Sequence, residues 1–319
     1  MKKSISVFLC VVFLLVSVPF KAIAYAEPFT QEEFDVSQYT WEDIMTMSNT
    51  EFRALLTEFE RVYDPFGTYA ANRPLMQSET QIEPLWVSGD GEKESGSHEL
   101  ISARACGILL NDLGFWGANQ SASIVIALSI SLASIIPDQD LLEGPLSGFE
   151  GHFYDPDTGT SFTGDSVNTA KSNLVNNYNA AVLAYQSEGL SEDFIISVGK
   201  MLHYMQDACE PHHAANITAV LVWQGHGSFE KYADQNINQY IDDFTTLPSN
   251  KYQEVLSKSK EALIFTAAKE AKFYIYMVNN TLDKSNWENV AYYTTRKAVQ
   301  YSTLLLYKLS VESGIALVK

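Results

Sequence analysis

The chain has 319 residues, of which 46% are hydrophobic, and it carries a formal net charge of −18. This length and apolar content are enough for one large domain with an extension. The negative charge disfavours binding to nucleic-acid backbones and docking on anionic membranes through charge alone, so we expect no nucleic-acid partner.

The first residues have the pattern of a secretory signal peptide. Two lysines precede an apolar run over 5–20, and small residues suited to cleavage after Ala24 or Ala26 follow it. The run is shorter than the roughly 20 apolar residues that a membrane-spanning helix needs. We interpret residues 1–26 as a signal peptide and predict a secreted, extracellular protein. A retained N-terminal anchor is the alternative.

The next segment, 27–85, differs from the rest of the chain. It holds twelve acidic residues, three arginines and no histidine. Apolar residues at helical spacing predict one short helix from Trp41 or Thr50 to about Tyr63. Pro, Gly, Asn and Ser scattered between Pro65 and Pro84 predict a linker. The segment is either a pro-segment that is removed after export or a permanent N-terminal extension.

From Ser95 onward, apolar residues recur at helical spacing. The predicted helices cover 120–136 (buried, and ending at Pro137), 165–187, 191–209, about 250–279 and 286–313. Neither a run of alternating strand-type residues nor an internal repeat interrupts this pattern. The predicted fold class is all-α, a multi-helix bundle.

All six histidines lie between residues 98 and 226. His203 and Asp207 are four apart on a predicted helix, so both side chains project from one face. His226 and Glu230 repeat this spacing, and His213 lies in the turn between the two pairs. Imidazole and carboxylate without thiolate are typical of a catalytic zinc site, which keeps one position open for water. Salt bridges and hydrogen-bonded pairs have the same spacing, so spacing alone leaves both interpretations open.

These pairs are part of a longer pattern. It consists of His203-Tyr204-Met205-Gln206-Asp207, then Pro211-His212-His213-Ala214-Ala215-Asn216, then His226-Gly227-Ser228-Phe229-Glu230, with His152-Phe153-Tyr154-Asp155-Pro156-Asp157 upstream. The pattern resembles the zinc-dependent bacterial phospholipases C, which show H-Y-x-x-D, P-x-H-x-A-N and H-x-x-x-E in this order. The likeness runs from about Trp86 to the C-terminus and is strongest over 138–230.

The resemblance implies an all-helical domain with three zinc ions in a cleft. Matched position by position, the implied ligands are Trp86, His98, Asp138, His152, His203, Asp207, His213, His226 and Glu230. In the family, the aspartate at the position of Asp207 bridges two ions, and the last two ligands share a zinc with His213. Asp138 is also the candidate general base, and Asp140 is the alternative at that position.

Trp86 is an unusual ligand, because mature family members begin with a tryptophan whose free amino group binds zinc. An amide nitrogen within a chain cannot serve as an amine ligand. The resemblance therefore predicts a processing protease that cleaves a zymogen between Leu85 and Trp86. The predicted organisation is a signal peptide (1–26), an acidic pro-segment or extension (27–85) and a catalytic domain (86–319).

The implied function is that of a monomeric phospholipase C engaged in lipid degradation. Such a zinc phosphodiesterase hydrolyses phospholipids at a membrane surface to diacylglycerol and a phosphorylated alcohol. Phe149 matches an aromatic residue that holds the choline cation in some members, whereas Gln139 stands where those members have tyrosine.

Two alternatives to the phospholipase remain. One is a zinc phosphodiesterase like the single-strand nucleases, which share the fold, and the other is a non-catalytic zinc-binding surface protein. The nucleases end their ligand set with aspartate and use a longer gap before the last histidine. The thirteen-residue step from His213 to His226 and the acid Glu230 therefore favour the phospholipase.

Overall fold

The computed structural model describes residues 35–63, 96–139, 149–219 and 225–319. The N-terminal range contains helices α1 (Trp41–Thr46) and α2 (Asn49–Tyr63). The middle ranges contain α3 (Ser97–Leu113), α4 (Gln120–Ala133), α5 (Ile136–Gln139), α6 (Ala170–Glu188) and α7 (Glu192–Asp207). The last range contains α8 (His226–Gln235), α9 (Ile237–Ile241), α10 (Ser249–Leu256), α11 (Lys260–Lys272), α12 (Ile275–Val278) and α13 (Trp287–Ser313). Short 3-10 helices cover Val36–Gln38, Glu150–His152 and His213–Ala215.

The predicted all-α class is confirmed. Within the described ranges, β pairing is limited to two isolated bridges, Phe115 with Val318 and Asp155 with Thr160. Helices α3, α4, α7 and α13 pack against one another, and α6 forms a hairpin with α7. Trp116 is fully buried in this core, where its ring lies 5.1 Å from that of Phe194 and its N–H donates to Ser310 Oγ at 2.7 Å.

Capping side chains set several helix boundaries that apolar spacing predicted incorrectly. Thr169 forms a capping box with Ser172, so α6 begins at Ala170 and not at 165. Ser259 accepts the N–H of Ala262 and starts a new helix. The long helix predicted over 250–279 is therefore three helices, α10, α11 and α12.

Of the two predicted starts for the helix that ends at Tyr63, Thr50 agrees with α2 to within one residue, and Trp41 instead begins the separate helix α1, which Thr40 caps. A further boundary differs from the prediction. The helix predicted over 120–136 ends at Ala133, and Pro137 lies inside the short helix α5. Proline is compatible with the first turn of a helix, where its missing N–H has no partner to lose.

Helix α4 is apolar and belongs to the core. Among the described residues, the run Gln120–Gln139 is long and apolar enough to cross a membrane by composition. However, 67% of the most apolar 18-residue stretch of this run is buried inside the protein, where α4 packs against α3 and α7. This burial is typical of the core helix of a folded domain.

The N-terminal helices pack on the same core. Trp41 and Phe59 are buried, and the Trp41 ring meets Phe115 at 6.3 Å. The buried Arg104 of α3 donates to the main-chain carbonyl of Met45 at 2.8 Å. Residues 36–63 are therefore part of one compact unit with the helices that follow.

Several predicted features fall outside the described residues, namely the signal peptide, the linker, Trp86 and Asp140, the alternative to Asp138. Cys106 and Cys209 are described, and both are free and buried thiols. Burial raises the pKa of each thiol above its ordinary value.

Gly199 allows α7 to approach α4 closely. A Cβ at this position would lie 2.4 Å from Ala133 Cβ and 2.8 Å from the Ser134 main-chain nitrogen. The same approach places His203 Nδ1 2.7 Å from the Ser134 carbonyl oxygen. The contact between the two helices therefore also orients a candidate metal ligand.

We expect Gly199→Ala to lower the free energy of unfolding by about 1–3 kcal/mol, because the methyl group meets main-chain atoms that cannot move aside. This loss would exceed the ~1 kcal/mol that alanine contributes over glycine in a helix. Urea unfolding of the variant and of the wild type measures the change in the free energy of unfolding. Gly107→Ala is the matched control, since its methyl group meets only the flexible end of Met45. Equal stability of both variants would contradict the argument.

Candidate metal centre

Eight of the nine predicted ligands lie in the described residues, and the fold brings all eight together. They are buried and come from helix ends and short turns: His98 on α3, Asp138 on α5, His203 and Asp207 on α7, His226 and Glu230 on α8, and His152 and His213 on 3-10 turns. Trp86, the ninth, lies outside the described residues. Buried ionisable groups in this number need mutual pairing or a cation.

One group of ligand atoms surrounds the end of α7. His152 Nδ1 lies 2.9 Å from His203 Nε2 and 3.0 Å from Asp207 Oδ2. His203 Nε2 lies 3.1 Å from the same carboxylate oxygen. Ligand atoms about 2.0–2.2 Å from a tetrahedral zinc ion are roughly 3.3–3.6 Å apart, so this group needs to open by only a few tenths of an ångström.

Asp138 adjoins this group and extends it towards His98. Its Oδ1 lies 3.6 Å from both His152 Nδ1 and His203 Nε2. Its Oδ2 lies 4.0 Å from His98 Nε2. His98, Asp138 and His203 offer ligand atoms that lie close together, so His203 belongs to both groups although its single free nitrogen, Nε2, can bind only one ion.

The third group lies on the other side of Asp207. His213 Nε2 and His226 Nε2 lie 3.2 Å and 3.0 Å from Glu230 Oε1. His213 Nδ1 lies 3.2 Å from Asp207 Oδ1, whereas Asp207 Oδ2 faces His152 and His203. The two oxygens of Asp207 therefore face different groups, which is the arrangement of a bridging carboxylate.

Glu210 also belongs to the third group and was not predicted from the sequence. Its Oε1 lies 2.8 Å from His212 Nδ1, and its Oε2 accepts the main-chain N–H of His213 at 2.7 Å. Both contacts hold the turn that carries His213. The sequence signal that could have identified Glu210 as part of the site is its position directly before Pro211 in a histidine-rich turn.

Hydrogen bonds from the surrounding core orient two of the imidazoles. His98 Nδ1 donates to Gln206 Oε1 at 2.7 Å, and Gln206 Nε2 donates to Ser102 Oγ at 2.9 Å. His203 Nδ1 donates to the Ser134 carbonyl at 2.7 Å. Both histidines thus direct Nε2 to the site, as is usual for metal-binding histidines with a fixed partner.

Asp138 Oδ2 is buried at the site and has no hydrogen-bond partner in the part of the chain that the structure describes. Buried polar atoms are nearly always paired in folded proteins, and an unpaired one needs an explanation such as an ion. The donor set of imidazoles and carboxylates is one that zinc prefers, so the residues fit this metal.

The electrostatics of the metal-free site also suit a cation. Burial lowers the pKa of His98 to about 3, so its imidazole is neutral and ready to bind metal. Burial alone would raise the pKa of Asp207, but His203 and the other neighbouring imidazoles hold it well below its ordinary value. Burial raises the pKa of Asp138 well above the ordinary value, despite attraction to His152.

His213 responds in the opposite sense to His98. Burial alone would lower its pKa, but the carboxylates of Asp207 and Glu230 raise it well above the ordinary value. A proton on His213 therefore supplies positive charge between two buried carboxylates. A divalent cation would supply the same charge more effectively.

Phe149, the predicted substrate-binding residue, borders the site. Its ring contacts that of His152 edge-on with centroids 5.5 Å apart. Its backbone is left-handed, with φ 59°, which is uncommon for a residue other than glycine. Strained backbone of this kind is concentrated at functional sites.

The sequence and the fold are similar to those of known proteins. A family model for zinc dependent phospholipase C matches residues 125–300, more than half of the chain. Phospholipase C of Clostridium perfringens is 29% identical over 227 residues, which cover 63% of this chain and 55% of that protein. Phospholipase C of Bacillus cereus is 32% identical over 209 residues, which cover 63% of this chain and 71% of that protein.

A solved structure agrees with these matches. Alpha toxin from Clostridium absonum has a TM-score of 0.60 at 25% identity, and the likeness covers 70% of this chain and 66% of that chain. The chain spans about half the length of the clostridial phospholipases C that it matches. The range matched by the family model includes the predicted ligands from Asp138 to Glu230. The chain belongs to the zinc dependent phospholipase C family.

Proposed function

We propose that this protein is a secreted phospholipase C that cleaves phospholipids to diacylglycerol and a phosphorylated alcohol. The observation that carries the proposal is the set of eight buried ligand-type side chains arranged around Asp207. The adjoining groups of potential ligands support a cluster of zinc ions, and the proposed number of three follows from the family resemblance, since His203 lies in two groups and offers only Nε2 to one ion. The negative charge of a phosphodiester repels an attacking nucleophile, and a cluster of cations would neutralise that charge.

Zinc would be held by His98, Asp138, His152, His203, Asp207, His213, His226 and Glu230, with the amino group of Trp86 as a further ligand. When bound, the metal supplies Lewis acidity that neutralises phosphate charge and lowers the pKa of water. Asp138 is the proposed general base, because its Oδ2 has no hydrogen-bond partner among the described residues. That oxygen would take the proton of the attacking water.

Phe149 is the proposed contact for the lipid head group. Its ring lies beside His152, so a head-group cation could rest on the aromatic face while the phosphate meets the metal ligands.

We expect Asp207→Asn to reduce hydrolysis of a chromogenic phosphocholine ester and of short-chain phosphatidylcholine to below about one hundredth of wild type. The amide would also cost at least one zinc ion, because it removes the charge that two ligand groups share. Activity assays and elemental analysis of zinc measure both effects. Asp193→Asn, at an exposed position on the same helix, is the matched control.

Other outcomes would identify other functions. Full activity of Asp207→Asn with full zinc content would contradict the ligand assignment. Hydrolysis of single-stranded DNA in place of lipid would indicate a nuclease. Full zinc content without hydrolysis of any of these substrates would indicate a non-catalytic zinc-binding protein.

We expect zinc binding to release protons, and zinc affinity to fall as the pH is lowered from about 8 to about 6. The reason is that His213 and Asp138 have raised pKa values in the metal-free site and must lose their protons to bind zinc. Titration calorimetry of the metal-free protein in buffers of different ionisation enthalpy measures the release. Asp193→Asn should behave as wild type, and a binding enthalpy that is independent of the buffer would contradict the prediction.

We also propose that a protease cleaves the chain between Leu85 and Trp86, and that 86–319 acts as a monomeric catalytic domain. Helices α1 and α2 are buried against α3 and α4, which supports retention of the extension after cleavage. The amino group released at Trp86 would complete the ligand set near His98.

Two substitutions test this cleavage. Pro84→Gly with Leu85→Arg turns residues 82–85 into a factor Xa site whose cleavage leaves Trp86 as the first residue. We expect cleavage to raise zinc content and activity, while the N-terminal fragment co-elutes with 86–319 on size exclusion. The uncleaved variant is the control. Unchanged zinc content would contradict the role of Trp86, and separation of the fragments would contradict retention of the extension.

A further inference from the structure

An uncharged apolar segment is exposed between α11 and α13. Residues 273–282 contain no Asp, Glu, Lys or Arg, in a chain whose net charge is −18. Four large apolar side chains of this segment face solvent: Phe273 at 69% exposure, Tyr276 at 93%, Met277 at 40% and Leu282 at 95%. So many large apolar side chains exposed within ten residues, around the polar Asn279, Asn280 and Thr281, are a candidate interaction site.

The segment is anchored, so the exposure is a property of its folded conformation. Ile275 and Val278 are buried, and they hold α12 against the core. Tyr274 packs its ring against Tyr293 of α13 with centroids 5.0 Å apart. The exposed side chains are therefore presented by a defined turn of the chain.

The segment also adjoins the metal centre. A Cβ on Gly225, the residue before His226, would lie 2.6 Å from the Val278 carbonyl oxygen. Trp287, at the start of α13, meets Phe229 of the ligand-bearing helix α8 at 5.7 Å. Helix α11, which leads into the segment, packs against the 213–215 turn.

We propose that residues 273–282 form the surface through which this protein binds a zwitterionic phospholipid bilayer. The proposal rests on the proposed function, because the phospholipid substrate of such an enzyme resides in a bilayer. Aromatic and aliphatic side chains without charge suit insertion into the head-group region. The strongly acidic chain excludes attraction to anionic lipid as the driving force.

The two lysines that precede the segment support this choice of partner, and Lys284, which follows it, lies over the Trp287 ring at 4.6 Å. Lys272 lies 2.5 Å from Asp155, and Lys269 pairs with Asp157. Because these lysines are neutralised within the protein, they present no basic patch for anionic lipid. Contact with the bilayer therefore depends on the apolar side chains, and it places the turn carrying His213 near the lipid head groups.

The test is flotation of the full chain with phosphatidylcholine vesicles. We expect the double variant Tyr276→Ser, Leu282→Ser to bind vesicles at least tenfold more weakly. The variant lacks two large apolar side chains whose transfer from water into the bilayer would favour binding. Its hydrolysis of monomeric short-chain phosphatidylcholine should match wild type, whereas its rate on vesicles should fall by a similar factor. Both positions are highly exposed, so the fold should persist, and thermal unfolding checks this.

Leu183→Ser is the matched control, since Leu183 is an exposed leucine elsewhere on the surface. Leu183 lies on α6, whose Tyr178 is contacted at 5.0 Å by Lys260 at the start of α11, whereas the segment follows the other end of α11. Unchanged vesicle binding of the double variant would overturn the proposal. The proposal would also be overturned if the wild-type protein were a dimer that does not bind vesicles and the double variant were a monomer. If vesicle binding falls but wild type hydrolyses no lipid, the surface stands and the proposed activity fails.

Discussion

The buried carboxylate of Asp207 is the constraint around which the rest of the molecule is arranged. Removing an ionised carboxylate from water costs several kcal/mol unless positive charge compensates it. Imidazole nitrogens of His152, His203 and His213 lie within 3.2 Å of its two oxygens. In the metal-free protein a proton shared with this group can supply the charge, and zinc ions would supply it under the proposed ligand assignment. Folding and metal binding would then be coupled through Asp207.

The helical scaffold suits this task because helix ends are both rigid and polar. The last carbonyl groups of a helix have no partner within that helix. The Ser134 carbonyl, just beyond the end of α4, is such a group, and it accepts the proton of His203 Nδ1. Gln206 does the same for His98 with a side-chain amide. Core packing, and Gly199 in particular, thus determines which nitrogen each histidine offers to a metal.

The metal centre and the surface beside it address two different parts of one problem. Hydrolysis of a phospholipid needs concentrated positive charge at the phosphate, but it also needs contact with an insoluble assembly. A chain of net charge −18 cannot gain that contact from anionic lipid. In the proposed role, the uncharged segment 273–282 would provide an apolar route to the bilayer, and the contact of Val278 with Gly225 would keep it next to the proposed ligands.

Local rules were sufficient for the helical class and for the pairs His203–Asp207 and His226–Glu230, because four-residue spacing on a helix always places two side chains on one face. Matching to family motifs added His98, Asp138 and His152, which local spacing does not connect to the pairs. Helix boundaries were predicted less well, because single capping residues such as Thr169 and Ser259 outweighed apolar periodicity.

The contacts that orient the site were beyond prediction from the chain alone. Gln206 meets His98 across 108 residues, Ser134 meets His203 across 69, and Arg104 meets Met45 across 59. No local pattern specifies such partners, since each depends on how whole helices pack. The kinds of ligand and their order along the chain are thus properties of the sequence. Their distances, their tautomers and the exposure of residues 273–282 arise only when the helices close around a common core.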